Sequence, residues 1–241
     1  SVEVRGPHPA GNVGVLINHV APINKGETVW TLRATDVVLI GRLLMTGHVD
    51  YSRRIAITGS HAAEHGYMDL LPGCRIESLG KLAQDGCKTR IIAGDVLTGT
   101  QLTEERPFFP MSCDQITVIP DGADRDELLG WAMPRFGEFS QSRTYLSWLM
   151  PRKHYTLDAR LKGGERAMIM SHELQSVFPL DIYAEYLLKA IIAFDIDKME
   201  ELGIYEVAPE DFALCEFVDT SKMELQHIVR QGLDLLYKEM N

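Results

Sequence analysis

Cysteine is scarce in this sequence: 241 residues contain four, at positions 74, 87, 113 and 215. No two form a Cys-x-x-Cys pair, which excludes a zinc ribbon, a thioredoxin-type motif and a cluster-binding run. With no secretion signal present, they read as four reduced thiols of a cytosolic protein. Long apolar runs are missing too. The longest, YLLKAIIAF (186–194), carries Lys189 and falls well short of the ~18 residues of a spanning helix. Positive charge is outweighed, with 24 Lys and Arg against 34 Asp and Glu and a net charge of −10. A nucleic-acid partner would need a basic face, so that class is excluded. There is no G-x-S-x-G elbow, no Walker loop and no G-x-G-x-x-G. The opening SVEVRGPHPAG has neither a methionine nor a helix-entry signal and reads as a piece of something longer.

What is present is an ordinary globular composition, 45% apolar and 24% charged, in three zones of different pattern. In the first, VGVLINHV (13–20) suits either a strand or a short helix. TDVVLIGRLLMTG (35–47) predicts a helix, with Val37, Val38, Ile40, Leu43 and Leu44 near helical spacing and Gly47 as the stop. RRIAITG (53–59) predicts a buried strand, and helix followed by strand is the tail of an α/β unit. The second zone predicts short strands at CRIESL (74–79), TRIIAG (89–94), CDQITVI (113–119) and LLGWAM (128–133). Turns fall between them at LPG (71–73), QDG (84–86) and PDGAD (120–124). The third zone passes through an aromatic-rich connector into helices. One has Asp181 as N-cap and a face of Ile182, Tyr183, Tyr186, Leu187, Ala190, Ile191 and Phe194. A short one runs from Asp195 to Leu202 and stops at Gly203, and a third starts at Pro209. The last opens on the capping box Ser221 and Glu224.

Several stretches imitate functional motifs. HAAEH, His61 to His65, matches an inverted zinc-peptidase pattern. Gly59 and Gly66 bracket it too closely for the helix of several turns that this chemistry needs, so a solvated interdomain loop is expected. GPHPAGNVG (6–14), with His8 between two prolines, lacks phosphate-loop spacing and favours a structural turn over a ligand site. KGGERAM (162–168) offers Lys162, Glu165 and Arg166 beside a Gly-Gly pair; an exposed connector is favoured over a binding loop. Trp30, Trp131 and Trp148 are expected as core anchors. Cys215, in ALCEFVDTSK (213–222), has no second cysteine, histidine or basic cluster beside it and is expected as a helix-packing residue.

Seven segments then occur in a telling order: GPHPAG (6–11), VWTLRATDVVLIGRLLMTG (29–47), RIAITG (54–59), RIIAGDVLTG (90–99), LKGGERAM (161–168), PLDIYAEYLLKA (179–190) and EELGIYEVAPEDFALCEFV (200–218). Together they resemble the A subunit of the bacterial Na+-translocating NADH:quinone reductases (Nqr), over essentially the whole chain and as a C-terminal portion of it. The resemblance extends distantly to the NADH-binding flavoprotein subunit of complex I and to the C subunit of the Rnf complex. It implies a multi-domain α/β fold: 1–60 the C-terminal part of a Rossmann-like domain, 61–132 a β-grasp (SLBB-like, soluble-ligand-binding) domain, and 133–241 an aromatic-rich connector and helical bundle. Those relatives hold an iron–sulfur cluster in the helical end with closely spaced cysteines, where this chain has Cys215 alone.

The resemblance implies a cofactor-free peripheral subunit on the cytoplasmic face of the bacterial inner membrane. It would serve a reductase that couples NADH oxidation and quinone reduction to sodium export. FMN, FAD, riboflavin and iron centres belong to partner subunits on this reading. No catalytic, cofactor-binding or metal-binding residue is assigned, and the chain alone is expected not to be catalytic. Its role would be assembly or quinone-side docking, with the membrane-embedded subunits as partners. The zone 136–155 is the expected contact face, through Phe136, Phe139, Tyr145, Trp148 and Tyr155 with Arg135, Arg143, Arg152 and Lys153. The alternatives are a ubiquinone-binding module, or a flavin- or nicotinamide-binding oxidoreductase whose site lies mostly outside this sequence.

Overall fold

The structure, a computed structural model, describes residues 3–122, 127, 129–140, 143–150 and 152–240. Two helices come first, α1 (Val13–Val20) and α2 (Ala34–Thr46). Gly47 ends α2 in the left-handed region at φ +72, its N–H returning to Leu43 O, the stop that the sequence predicts. VGVLINHV, open between strand and helix in the sequence, is helical.

A mixed sheet follows, built from β1 (Arg53–Thr58), β2 (Gly66–Leu70), β3 (Thr89–Ala93), β4 (Thr100–Gln101) and β5 (Gln115–Pro120) in the order β2-β1-β5-β3-β4. The first and last strands lie side by side and parallel, with Ile57 opposite Ile116. All other pairings are antiparallel. β5 is central and nearly continuous in its burial, from Ile116 and Val118 at 0% exposure to Thr117 and Ile119 at 4% and 6%. Such a run, buried on both faces, cannot show the alternation of a half-exposed strand. The core beneath the sheet adds Ile55, Leu82, Ala93 and Phe109.

β1 is bonded on one side to β2 and on the other to β5, so a boundary at 60/61 cuts through the sheet. HAAEH joins β1 to β2 within that sheet, as a loop. Gly59 turns it at φ +104, where a Cβ would land on the Val118 carbonyl, so no side chain fits there. Two strand predictions fail. Residues 76–79 form a 3-10 turn in which the Ser78 hydroxyl donates to Arg75 O at 2.6 Å, a local bond that competes with strand pairing. Gly130–Ala132 is likewise a 3-10 turn, while Leu128 lies outside the described residues, as do Ala123 and Asp124 of the PDGAD turn.

The helical end comprises α3 (Ala184–Ile192), α4 (Ile196–Glu201), α5 (Ala213–Val218) and α6 (Leu225–Met240). Its core joins Leu187, Leu188, Met199, Ile204, Phe212, Cys215, Leu225 and Val229, and α1 contributes Val15 to it. α4 lies where the sequence predicts a short helix; Asp195 caps it, its carboxylate accepting from Lys198 N at 3.1 Å, and a 3-10 turn from Pro209 leads into α5.

The other two helices start later than the sequence predicts, and in both a side chain upstream of the expected cap sets the start. Asp181 is not the N-cap of α3. The Gln175 amide accepts from Ala184 N at 3.0 Å and donates to Ile182 O at 2.9 Å. The Ser221–Glu224 box does not form either. The Asp219 carboxylate accepts from Ser221 N and Met223 N, both at 2.9 Å, so α6 opens only at Leu225. The buried stripe of α3 is Ala184, Leu187, Leu188 and Ile191, a rotation that exposes Tyr183, Tyr186 and Phe194. Trp30 and Trp148 are 91% and 50% exposed, not core anchors; the apolar surface that would cover Trp30 is absent among the described residues.

Candidate functional site

A cleft of about 390 Å³ opens between the sheet, the connector and α5. The sheet supplies Ile92 and Ile119, the connector Trp131, Phe139 and Tyr145, and the helical side Glu216, Phe217 and Lys222. Its size and its apolar walls with a few polar groups are those of small-molecule sites. Local chemistry sets each wall. Phe139 stacks on Phe217 with ring centroids 5.8 Å apart and planes at 25°, and meets Tyr155 edge-on at 5.9 Å. The Tyr145 hydroxyl donates to Gly130 O at 2.7 Å; burial pushes its pKa above the ordinary phenol value.

The floor is the Lys162–Gly163 stretch. It is not the exposed connector that the sequence favoured. Lys162 takes a left-handed φ of +52, and Gly163 is buried where a Cβ would meet Trp131 Cδ1 at 3.2 Å and Lys222 Cγ at 3.4 Å. Arg166 fastens the loop from the far side. Its N–H donates to Ser221 O at 2.8 Å, its guanidinium bonds Thr220 O, and it lies 4.6 Å over the Trp131 ring.

A closed ion network crosses one side of the cleft. Glu138 accepts from Arg135 at 3.1 Å, Arg160 at 3.0 Å and Lys162 at 3.2 Å. Asp158 takes Arg160 at 2.6 Å and Lys162 at 3.4 Å, and Glu127 pairs with Arg135. Burial works against the charge of Asp158, but Arg160 and Lys162 outweigh it and hold its carboxyl below the usual range. Lys222 differs from its neighbours. It lines the cleft in a left-handed conformation at φ +59. Burial pushes its ammonium below the ordinary lysine value, Arg166 and Lys162 add to that, and Asp219 opposes it. Across the cleft, burial raises the carboxyl of Glu216, whose oxygen accepts from Gln226 N at 2.8 Å.

The residues singled out in the sequence scatter. Cys215 is fully buried, its thiol donating to Leu174 O at 3.5 Å, and burial pushes its pKa up to about 12. It packs the helical core, as expected, and is no thiolate nucleophile. His65 is exposed and contacts Gly59 O at 2.9 Å, while His61 meets the Ser60 hydroxyl at 3.2 Å. Among the described residues no group of three or more His, Cys, Asp or Glu is placed to hold a metal ion. His8 is exposed in the turn that leads into α1. In the aromatic zone, Phe136, Trp148 and Leu149 are exposed at 58%, 50% and 58%, but Tyr145 turns inward at 4%. Arg135 is spent in the ion network, and Lys153 bonds Phe136 O at 2.6 Å. Lys222, Glu216 and Gly163 escaped the sequence reading. The Gly-Gly pair was the one legible signal, and it carries no mark of what packs against it.

A family model described as the NqrA second alpha/beta domain matches residues 1–49, and one described as the NQRA C-terminal domain matches residues 54–104. A Rhodopirellula baltica protein, named as the A subunit of a Na(+)-translocating NADH-quinone reductase, is 35% identical over 240 residues, 99% of this chain and 52% of its own length. The chain belongs to the NqrA family. Members named alike from Neisseria meningitidis and Yersinia pestis are 34% and 35% identical, over 98% of this chain and 53% of theirs. The chain thus spans about half the length of the NqrA relatives it matches. The two matched stretches meet between residues 49 and 54, at the start of β1.

Proposed function

We propose that this chain acts as a peripheral, docking part of a Na+-translocating NADH:quinone reductase, with flavins and iron centres carried by the other subunits. The observation that carries the reading is an uncovered apolar strip on the connector. Leu129, Met133, Phe136, Trp148 and Leu149 are each at least half exposed, while Arg135, Glu138 and Lys162 beside them are tied to one another. An apolar patch rimmed by satisfied charge suits a protein partner. A net charge of −10 disfavours direct adhesion to anionic lipid, and among the described residues no helix is long and apolar enough to cross a membrane. On this reading the partner is embedded in the membrane and is met at its cytoplasmic face.

The test is co-purification of Trp148→Asp and Leu149→Asp variants with the membrane subunits. At least a tenfold loss of retention with an unchanged melting temperature is expected; undiminished retention of both variants removes the docking role from this strip.

The same reading divides the chain near residue 50, with the five strands as a β-grasp domain. The order β2-β1-β5-β3-β4, with first and last strands parallel, supports it. Residues 1–49, matched by the alpha/beta domain model, then belong to a Rossmann-like unit. A second reading, quinone binding, is favoured by the aromatic walls of the cleft, Trp131, Phe139 and Phe217. Titration with a soluble quinone should quench tryptophan fluorescence saturably; a flat titration removes this reading.

A further inference from the structure

We propose that the cleft binds an organic anion, an aromatic body carrying one oxyanion group, with Lys222 as the charge partner of that group. The docking role does not bear on this; the quinone reading shares the cleft but takes a neutral ligand.

Charge gives the first reason. Four basic side chains line the cleft, Arg90, Arg160, Lys162 and Lys222, against two acidic ones, Asp158 and Glu216, in a chain whose net charge is −10. Asp121, Asp158 and Glu138 neutralise three of the four, so the charge that the recess offers an anion is that of Lys222.

The second reason is the one cation left over. Arg90 is bonded to Asp121 at 2.9 Å, Arg160 to Asp158 at 2.6 Å and Lys162 to Glu138 at 3.2 Å. The Lys222 ammonium has no hydrogen bond or ion pair with any described residue, nor is it sealed from water as the Trp131 and Arg166 nitrogens Nε1 and Nε are. Nearby Asp219 is occupied by two backbone N–H groups. Between those two N–H groups, Lys222 sits at φ +59, a strained backbone for a residue with a side chain. A lysine fixed in a strained turn, half-buried and unpaired, is pre-organised for an acceptor that arrives from outside. An incoming oxyanion would reverse the lowering that burial imposes on its ammonium.

The walls specify the body. Trp131, Phe139 and Phe217 all line the cleft, so an aromatic body meets aromatic walls. A volume of about 390 Å³ accepts two fused rings and a head group. Carboxylate and phosphate share the required chemistry, so the probes include both.

The experiment is calorimetry on the full chain with 1-naphthyl phosphate, 2-naphthoate, the neutral 2-naphthalenemethanol, inorganic phosphate alone and a short-chain quinone. One of the two aromatic anions, or both, should bind at 1:1 stoichiometry, at least tenfold tighter than the neutral alcohol and than phosphate. The tighter of the two identifies the head group. Lys222→Gln should erase that preference and leave binding of the alcohol unchanged; Lys222→Arg should retain it. Should Lys222→Gln not fold, salt decides on the wild-type chain: the preference must fall several-fold between 0.05 and 0.5 M. Equal binding of anion and alcohol, a preference that survives Lys222→Gln or high salt, or no saturable heat overturns the proposal. A quinone that binds as tightly as the anions, in wild-type and Lys222→Gln chains alike, overturns it while leaving the quinone reading standing.

Discussion

Helices α1 and α2 are neighbours in sequence, and the molecule holds them in opposite ways. α1 is short, yet Val15 enters the helical core, Asn18 donates to Glu206 at 2.9 Å, and Lys25 just beyond pairs with Glu200 at 2.6 Å. Gly14 makes this docking possible. A Cβ there would fall 2.6 Å from an oxygen of the buried Asp211. α2 is longer and carries an apolar stripe of its own, yet has no buried residue, with Leu44 and Met45 exposed at 80% and 88%. It is tethered by charge: Arg53, its side chain 4% exposed, reaches Asp36 at 2.6 Å and Asp114 at 3.4 Å, and Arg33 closes the set. Periodicity therefore specifies a helix without specifying what, if anything, covers its apolar face. Burial was decided by a missing side chain in one helix and left undecided by a full stripe in the other.

The largest expected effect breaks the charged tether. Arg53→Ala leaves Asp36 and Asp114 with Arg33 alone, empties the buried space of its own side chain and should cost about 3 kcal/mol; a urea titration reads it, with α2 amides exchanging first. Gly14→Ala drives a methyl group into Asp211 and should cost about 1–3 kcal/mol, read in the same titration, with α1 rather than α2 losing protection. Leu44→Ser, on the exposed stripe, should stay within about 0.5 kcal/mol.

Acidity sharpens the contrast, because the two tethers respond with opposite sign. Burial raises Asp211 to about 6. Its folded pKa lies above its unfolded value, so its cost is absent below about pH 4 and grows as the pH rises to about 6. Hydrogen bonds from Arg33 and Arg53 lower the pKa of Asp36, so its stabilising contribution is present above the usual carboxylate range and lost as the pH falls through it. Mild acid should thus tighten α1, and stronger acid should release α2. Hydrogen exchange, corrected for its intrinsic pH dependence, checks both, and Asp211→Asn should flatten only the response of α1.

What was legible in the sequence was local. α2 with its Gly47 stop, the strands at 53–58, 89–93 and 115–120, and the packing role of Cys215 all follow from short-range pattern and composition. What was illegible depends on partners distant in the chain. β1 reads as the end of an α/β unit until β5, some sixty residues on, pairs with it. The start of α3 is set by Gln175, which displaces the nearer cap at Asp181; that of α6 is a local competition, in which Asp219 takes the N–H groups of Ser221 and Met223. The cleft was the least legible feature. Its floor needs Gly163 under Trp131 and Lys222 beside both, three positions that no periodicity connects.

The docking account is tested most directly by hydrogen exchange on the free chain and on the same chain assembled with the membrane subunits of the reductase. Peptides spanning 129–150 should gain protection on assembly, while those of β1 and β5, already in the sheet core, should not change. Equal exchange of 129–150 in the two states would contradict the account.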